Sequence, residues 1–289
     1  METAEKIIPA LLGLAVLLPL ISFWIILVVG RWMGKAGEYA AYVATAAIAV
    51  GFGLSLVSAF AWFATHPYGD DHASVIELAA ESGVAGSDGE TGEAGHGHHG
   101  TPSRAVTGNW YTLAKMGSLE LTIGYYVDSL TVIMFCMVTL IASCIHFYAM
   151  GYVHDELHDI TDHEVTLSNG EHLHRPGRYH RFFQYLSLFC FSMLGLVIAG
   201  NVAMTFVFWE LVGICSYFLI GFYVERQSAS TAANKAFIVN RVGDFGFIIG
   251  LMAIWSTVGT FNFGDITTTD EQGNEHVVEG ILSRVRPEN

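Results

Sequence analysis

Long apolar runs, separated by polar segments, dominate the pattern of this chain. Residues 7–30 carry no charge between Lys6 and Arg31, and residues 39–65 none between Glu38 and His66. In residues 129–149 the only ionisable groups besides the Tyr148 phenol are His146 and two thiols. Residues 182–224 are interrupted by one ionised side chain, Glu210. Crossing the hydrocarbon core takes about 20 apolar residues, so this run is too long for a single crossing. Gly200-Asn201 is a natural turn, which predicts two helices, 182–199 and 202–223. A last run, 230–258, is apolar apart from Lys235, Arg241 and Asp244. The pattern predicts an all-α, polytopic transmembrane bundle of six helices.

The first run is longer than the apolar core of a cleaved signal peptide, and its N-terminal flank holds Glu2 and Glu5 against Lys6. A retained span is the better reading. The polar segments then divide the chain. Residues 1–65 hold helices 1–2, and 66–124 form a polar, low-complexity outer loop. Residues 125–258 hold helices 3–6 with a cytoplasmic loop at 151–181, and 259–289 form a further outer loop. Short loops on one side carry Arg31, Lys35, Arg175, Arg178, Arg181 and Arg226. By the positive-inside rule that side is cytoplasmic and the N-terminus faces outward, which suits a multi-pass protein of a bacterial inner membrane.

Composition agrees. Of 289 residues, 52% are hydrophobic and 14% charged, against roughly 25% charged in soluble domains; mean hydropathy is +0.45. A formal net charge of -14 excludes nucleic acid as a partner, because that needs a basic face; the lipid bilayer is the expected surrounding. Cys136, Cys144, Cys190 and Cys215 all fall inside apolar runs without metal-binding spacing, and are expected to be small buried thiols. No dinucleotide fingerprint or phosphate-binding loop occurs, so no cofactor is expected in this chain. His96, His98 and His99 lie in a Gly- and acid-rich stretch whose composition suggests a solvated loop before a metal site. His154 and His158 would share a helix face as a metal pair, but spacing fixes no third ligand, and a solvated acidic loop is the commoner case.

Charges inside the bilayer carry the functional signal. Each costs at least ~2.5–3.5 kcal/mol on insertion scales and is rarely retained without a partner or a task. Glu210 lies about mid-depth in its helix. Desolvation favours a neutral carboxyl and a nearby cation favours a charged one, so such a group suits either a proton relay or a permanent ion pair. Arg241 and Asp244, three residues apart, lie on nearly one helix face and can neutralise each other. Lys235 lies on the opposite face from Asp244, free to snorkel or to meet another helix. His146, near the cytoplasmic end of the third helix, is either a relay station or an interfacial histidine, the latter being favoured. None of these groups is redox-active.

VDSLTVIMFCMVTLIASCIHFYAMGY, RFFQYLSLFCFSMLGLVIAGNVAMTFVFWELVGICSYFLIGFY and AANKAFIVNRVGDFGFIIG resemble the third to sixth helices of the antiporter-like L subunits of NADH–quinone oxidoreductase, respiratory complex I. The resemblance implies that Glu210 is the helix-five glutamate that pairs with a helix-seven lysine in a proton channel. It implies that Asp244 is a modulating acid, Arg241 its ion partner and Lys235 a lysine near the cytoplasmic mouth. It also implies other complex I membrane subunits as partners, with NADH, FMN, iron–sulfur clusters and quinone in other subunits. Members of the family are about twice this length. The helix with the central lysine would follow Asn289, so the chain is expected to be an N-terminal portion, either truncated or half of a split subunit, unable to pump alone. The same glutamate would serve a cation/proton antiporter or a bicarbonate-uptake complex, and a fragment that only inserts is a fourth reading.

Overall fold

The computed structural model describes residues 2–65, 105–116, 119–269 and 275–285. His96, His98 and His99 lie outside them. The fold is an all-α bundle whose six long helices are each apolar enough to cross a membrane. These are α1 (Glu2–Val29), α2 (Glu38–Thr65), α3 (Ser129–Tyr152), α4 (Tyr179–Ile198), α5 (Val202–Ile220) and α6 (Gln227–Val258).

Local chemistry sets several helix ends. Asp128 caps α3 by accepting the Thr131 N–H at 2.7 Å, and Asn201 caps α5 by accepting that of Met204 at 2.7 Å. Gly259, at φ 73°, closes α6 in the left-handed conformation that glycine adopts without strain. In α2 the buried positions Ala44, Ile48, Gly51, Ser55, Ser58 and Trp62 recur every three or four residues. Such small residues let neighbouring helices approach closely in lipid, where packing and interhelical hydrogen bonds take over from the hydrophobic effect. Across this stripe Thr139 Oγ1 of α3 reaches Ser55 Oγ at 3.4 Å, and on another face of the bundle Ser22 of α1 meets Ser187 of α4 at 3.3 Å.

Helix α4 packs against α1, α2, α3 and α5, whereas α6 packs on α5 alone among the long helices. The core therefore sits among α1–α4, built on Leu12, Ile48, Phe135 and Leu194, with Phe183 in a second cluster. Helices α5 and α6 form an open edge, and in α6 only Ala233 and Asp244 are fully buried.

The two ends of the bundle are closed differently. At one, the strands β1 (Val106–Met116) and β2 (Leu119–Val127) pair antiparallel, Val106 opposite Val127. Their edge continues into the α4–α5 turn through a Tyr125–Ala199 bridge, and onward through an Asn201–Asn262 bridge. The Gly200 N–H donates to Gly124 O at 3.1 Å, and a Cβ on Gly200 would lie 2.6 Å from the Gly124 carbonyl carbon. Beyond α6, β5 (Ile266–Thr269) pairs antiparallel with β6 (Glu275–Val278), followed by one turn of helix, α7 (Ile281–Arg284). This corrects the sequence reading of 66–124 and 259–289 as loops: the described residues from 106 onward, and those after α6, are built on hairpins.

At the opposite end, β3 (Ile160–Thr166) and β4 (His172–Arg175) form a third hairpin where 151–181 was expected to be loop. Side chains hold it. Arg175 donates to both oxygens of buried Glu156 at 2.8 and 2.9 Å, and the Arg178 N–H donates to Glu156 Oε2 at 3.0 Å. Arg226, in the α5–α6 turn, donates to Asp162 Oδ2 at 2.8 Å, and Arg178 pairs with Glu225. The Tyr223 ring lies under both the Arg226 and Arg175 guanidinium groups, at 4.9 and 5.7 Å. His154 and His158 fall in and just past a 3-10 turn, rings 6.3 Å apart, and not on the shared helix face considered for a metal pair.

Candidate functional site

Helices α5 and α6 bring together three of the residues singled out in the sequence. Glu210 stands eight residues into α5, roughly 12 Å from its start at 1.5 Å per residue. Arg241 and Asp244 lie near the middle of α6. Arg241 forms an ion pair with Glu210 across the helix interface, and its Nε also lies 3.3 Å from Asp244 Oδ2 on its own helix. The i,i+3 pair expected from spacing is thus present, and the same guanidinium also binds the carboxylate of the neighbouring helix. Side-chain exposure is 17% for Glu210, 34% for Arg241 and 8% for Asp244.

Neighbouring residues shape the cluster. The Trp209 indole N–H donates to Asp244 Oδ1 at 3.3 Å, which ties α5 to the acid of α6. The Arg241 guanidinium stacks over Phe237, four residues earlier, at 4.9 Å, and Phe237 packs on Tyr217 of α5 at 5.4 Å. Gly213, one turn beyond Glu210, faces the arginine: a Cβ there would meet Arg241 Nη2 at 3.6 Å, an ordinary van der Waals contact. Trp209, Gly213 and Phe237 were not selected from the sequence. The signal was helical spacing, since Gly213 is i+3 from Glu210 and Phe237 is i−4 from Arg241.

Hydrogen bonding within the cluster is incomplete. Glu210 Oε1, Arg241 Nε and Asp244 Oδ2 are buried without a hydrogen-bond partner. Two carboxylates share one guanidinium, so with both ionised the cluster carries an excess negative charge. A proton on one acid, or a second cation, would remove that excess. Buried polar groups left in this state are costly and tend to mark sites of function.

The remaining selected residues stand apart. Lys235 is exposed on α6 and makes no ion pair among the described residues. His146 is 1% exposed, inside α3 against Phe183 of α4, with Nδ1 2.8 Å from Ala142 O and Nε2 without a partner. The expectation of an interfacial histidine is corrected: α4 packs over that face of α3 and removes the ring from solvent.

Two family models match the chain. One, described as NADH:quinone oxidoreductase/Mrp antiporter, TM, covers residues 199–283. The other, NADH-Ubiquinone oxidoreductase (complex I), chain 5 N-terminus, covers 110–159. NAD(P)H-quinone oxidoreductase chain 5 of Synechocystis is 42% identical over 170 residues, which are 59% of this chain and 22% of that protein. NADH-quinone oxidoreductase subunit L of Neisseria meningitidis is 42% identical over 151 residues, 52% of this chain and 20% of that one. The chain therefore spans about a fifth of the length of the curated relatives it matches. Among solved structures, a chain of the archaeal membrane-bound sulfane sulfur reductase aligns with a TM-score of 0.53 at 15% identity, covering 87% of this chain and 38% of that one. That likeness bears on the fold alone.

Proposed function

Because this chain matches the N-terminal part of the antiporter-like L-type membrane subunits of NADH–quinone oxidoreductase, we propose that it is a proton-translocating module of such a complex. In this reading Glu210 carries the proton. The supporting observation is the Arg241 guanidinium shared between Glu210 and Asp244 at mid-helix, with one oxygen of each acid left without a hydrogen bond.

The chemistry follows from that sharing. With Arg241 turned to Glu210, the carboxylate is held ionised; with Arg241 turned to Asp244, Glu210 loses its counter-charge in a desolvated setting and takes up a proton. A small shift of α6 against α5 exchanges the two states, and α6 is the long helix with the fewest helical neighbours to resist it. The open edge of α5 and α6 is where a further cation, supplied from outside the described residues, would compete for Glu210 and drive release. Lys235 and His146 are proposed as peripheral stations. Electron transfer and its cofactors belong to other subunits, and this chain contributes no redox step. The basic short loops support a multi-pass placement in a bacterial inner membrane with the N-terminus outward.

The test is Glu210→Gln in the full-length, assembled complex. Proton pumping should fall strongly while assembly and electron transfer into quinone remain measurable; pumping at the unaltered rate would overturn the relay. A second reading, cation/proton antiport without an electron donor, is favoured by the description of the matching family model, which names an antiporter. Transport that depends on sodium and persists without an electron donor would select it.

A further inference from the structure

At the β3–β4 end of the bundle, a cavity of about 580 Å³ opens between the α1–α2 turn and the start of α4. Arg31, Lys35, Arg178 and Arg181 line it, with His158 and His180, and among the described residues Asp159 is the one acid on its wall. Arg31, Lys35 and Arg181 are exposed and make no ion pair among the described residues, whereas Arg178 pairs with Glu225. His180 Nδ1 lies 3.3 Å from Ala36 O, which fixes the turn against α4. The positive charge is concentrated enough to act on itself: burial, and then the charges of Arg175 and Arg181, hold the Arg178 guanidinium below its ordinary value.

Two further features say what kind of anion fits. A second cavity of about 200 Å³ shares Arg178 and Arg181 and runs between α4 and α5 along Tyr185, Tyr217, Phe218 and Phe222. A cationic mouth thus opens onto an aromatic cleft, the outline of an amphiphile with an anionic head. Trp32, Tyr39 and Tyr42, at 76, 58 and 56% exposure, stand at this same end with exposed Tyr148 and Tyr152. Exposed Trp and Tyr gather at the level of lipid headgroups, which places the mouth at that depth. The planar fork of arginine matches phosphate oxygens in pairs.

We propose that Arg31, Lys35, Arg178 and Arg181 form a binding site for a phosphate-bearing anion, filled in the membrane by the headgroup of an anionic phospholipid whose chain lies along the Tyr185–Phe222 cleft. The site is separate from the Glu210 cluster and does not depend on the role given to it. Basic pockets between spanning helices retain such headgroups.

The purified chain in phosphatidylcholine nanodiscs containing a minor fraction of phosphatidylglycerol provides the test, with bound lipid counted by native mass spectrometry. Phosphatidylglycerol should be enriched on the protein, and Arg31→Gln, Lys35→Gln and Arg181→Gln should each lower its affinity roughly fivefold. These side chains are exposed, so each single variant should fold, and Arg31→Lys with Arg181→Lys, which keeps the charge and loses the planar fork, should retain part of the enrichment. A parallel arm offers radiolabelled inorganic phosphate in pure phosphatidylcholine. Phosphate binding sensitive to the same substitutions, without phosphatidylglycerol enrichment, keeps the anion site and overturns the lipid as its occupant. No lipid preference, no phosphate binding and no effect of the substitutions would overturn the site itself.

Discussion

At the scale of the residue, the asymmetry of the α5–α6 cluster gives its parts different roles. Arg241 serves two acids, so its loss should cost more than the loss of either acid. Arg241→Gln would strand two buried carboxylates, and breaking a buried pair costs ~3–5 kcal/mol. Its 34% exposure tempers this to about 2–3 kcal/mol, readable as a lowered denaturation midpoint in detergent. Adding Asp244→Asn should recover part of that loss, because one of the two stranded carboxylates is then neutral; a double variant no more stable than the single one would contradict the shared-cation arrangement. The three ionisable members of this cluster were legible in the sequence, because a charge within an apolar run stands out. The arginine's choice of partner was not. Spacing along one helix gives the i,i+3 contact with Asp244, but the contact with Glu210 depends on how α6 is rotated against α5, which tertiary packing decides. His146 shows the converse, since its burial depends on α4 and on nothing within its own helix.

Among the elements, the six spans were visible from run length alone, with boundaries shifted by a few residues where capping side chains such as Asp128 and Asn201 fix the ends. The hairpins were not. β1 and β2 carry the aromatic and β-branched residues of strands, with Gly117-Ser118 between them as a turn signal, but they adjoin a Gly-rich tract that dominates the composition of the segment. Asn201 joins strand to helix: it caps α5 and also donates from Nδ2 to Thr122 O at 2.8 Å. Asn201→Ala should therefore destabilise by about 2 kcal/mol. Asn201→Ser, which keeps a capping oxygen and loses the Nδ2 donor, should fall between it and the unaltered protein in thermal unfolding. At the other end, β3 and β4 are held through carboxylates. Burial pushes the Glu156 carboxyl up, but its hydrogen bonds from Arg175 and from the Arg178 backbone prevail and hold it below the ordinary 4.5. The Arg226 hydrogen bond likewise holds Asp162 below 3.8 against the opposing effect of burial. Both groups bind protons less readily folded than unfolded. Their contribution is complete above those ordinary values and is lost as pH falls through the lower folded ones. Protection from hydrogen exchange across residues 153–178, measured against the intrinsic rate at each pH, should fall on acidification through that window, while protection in β1 and β2 changes far less.

For the whole molecule, α4 is the hub of the packing and α6 its least anchored helix, so the charged cluster lies at the margin of the bundle. In liposomes containing only this chain, no proton flux above that of empty vesicles is expected, since Arg241 already occupies Glu210 and no competing cation stands beside it among the described residues; measurable flux would show that the cluster operates without one. The fold class was clear in the sequence because lipid demands long apolar helices. The open edge was not, because the apolar surface of α6 would read the same whether lipid or protein covered it. The different fastenings at the two ends have a further consequence. Backbone hydrogen bonds and the Lys115–Glu120 ion pair hold the β1–β2 rim, whereas a set of ion pairs laces the β3–β4 rim, so ionic strength acts more on the second. Concentrated salt should loosen the laced rim first and leave the other shut, so that the helices splay like a fan held at its rivet.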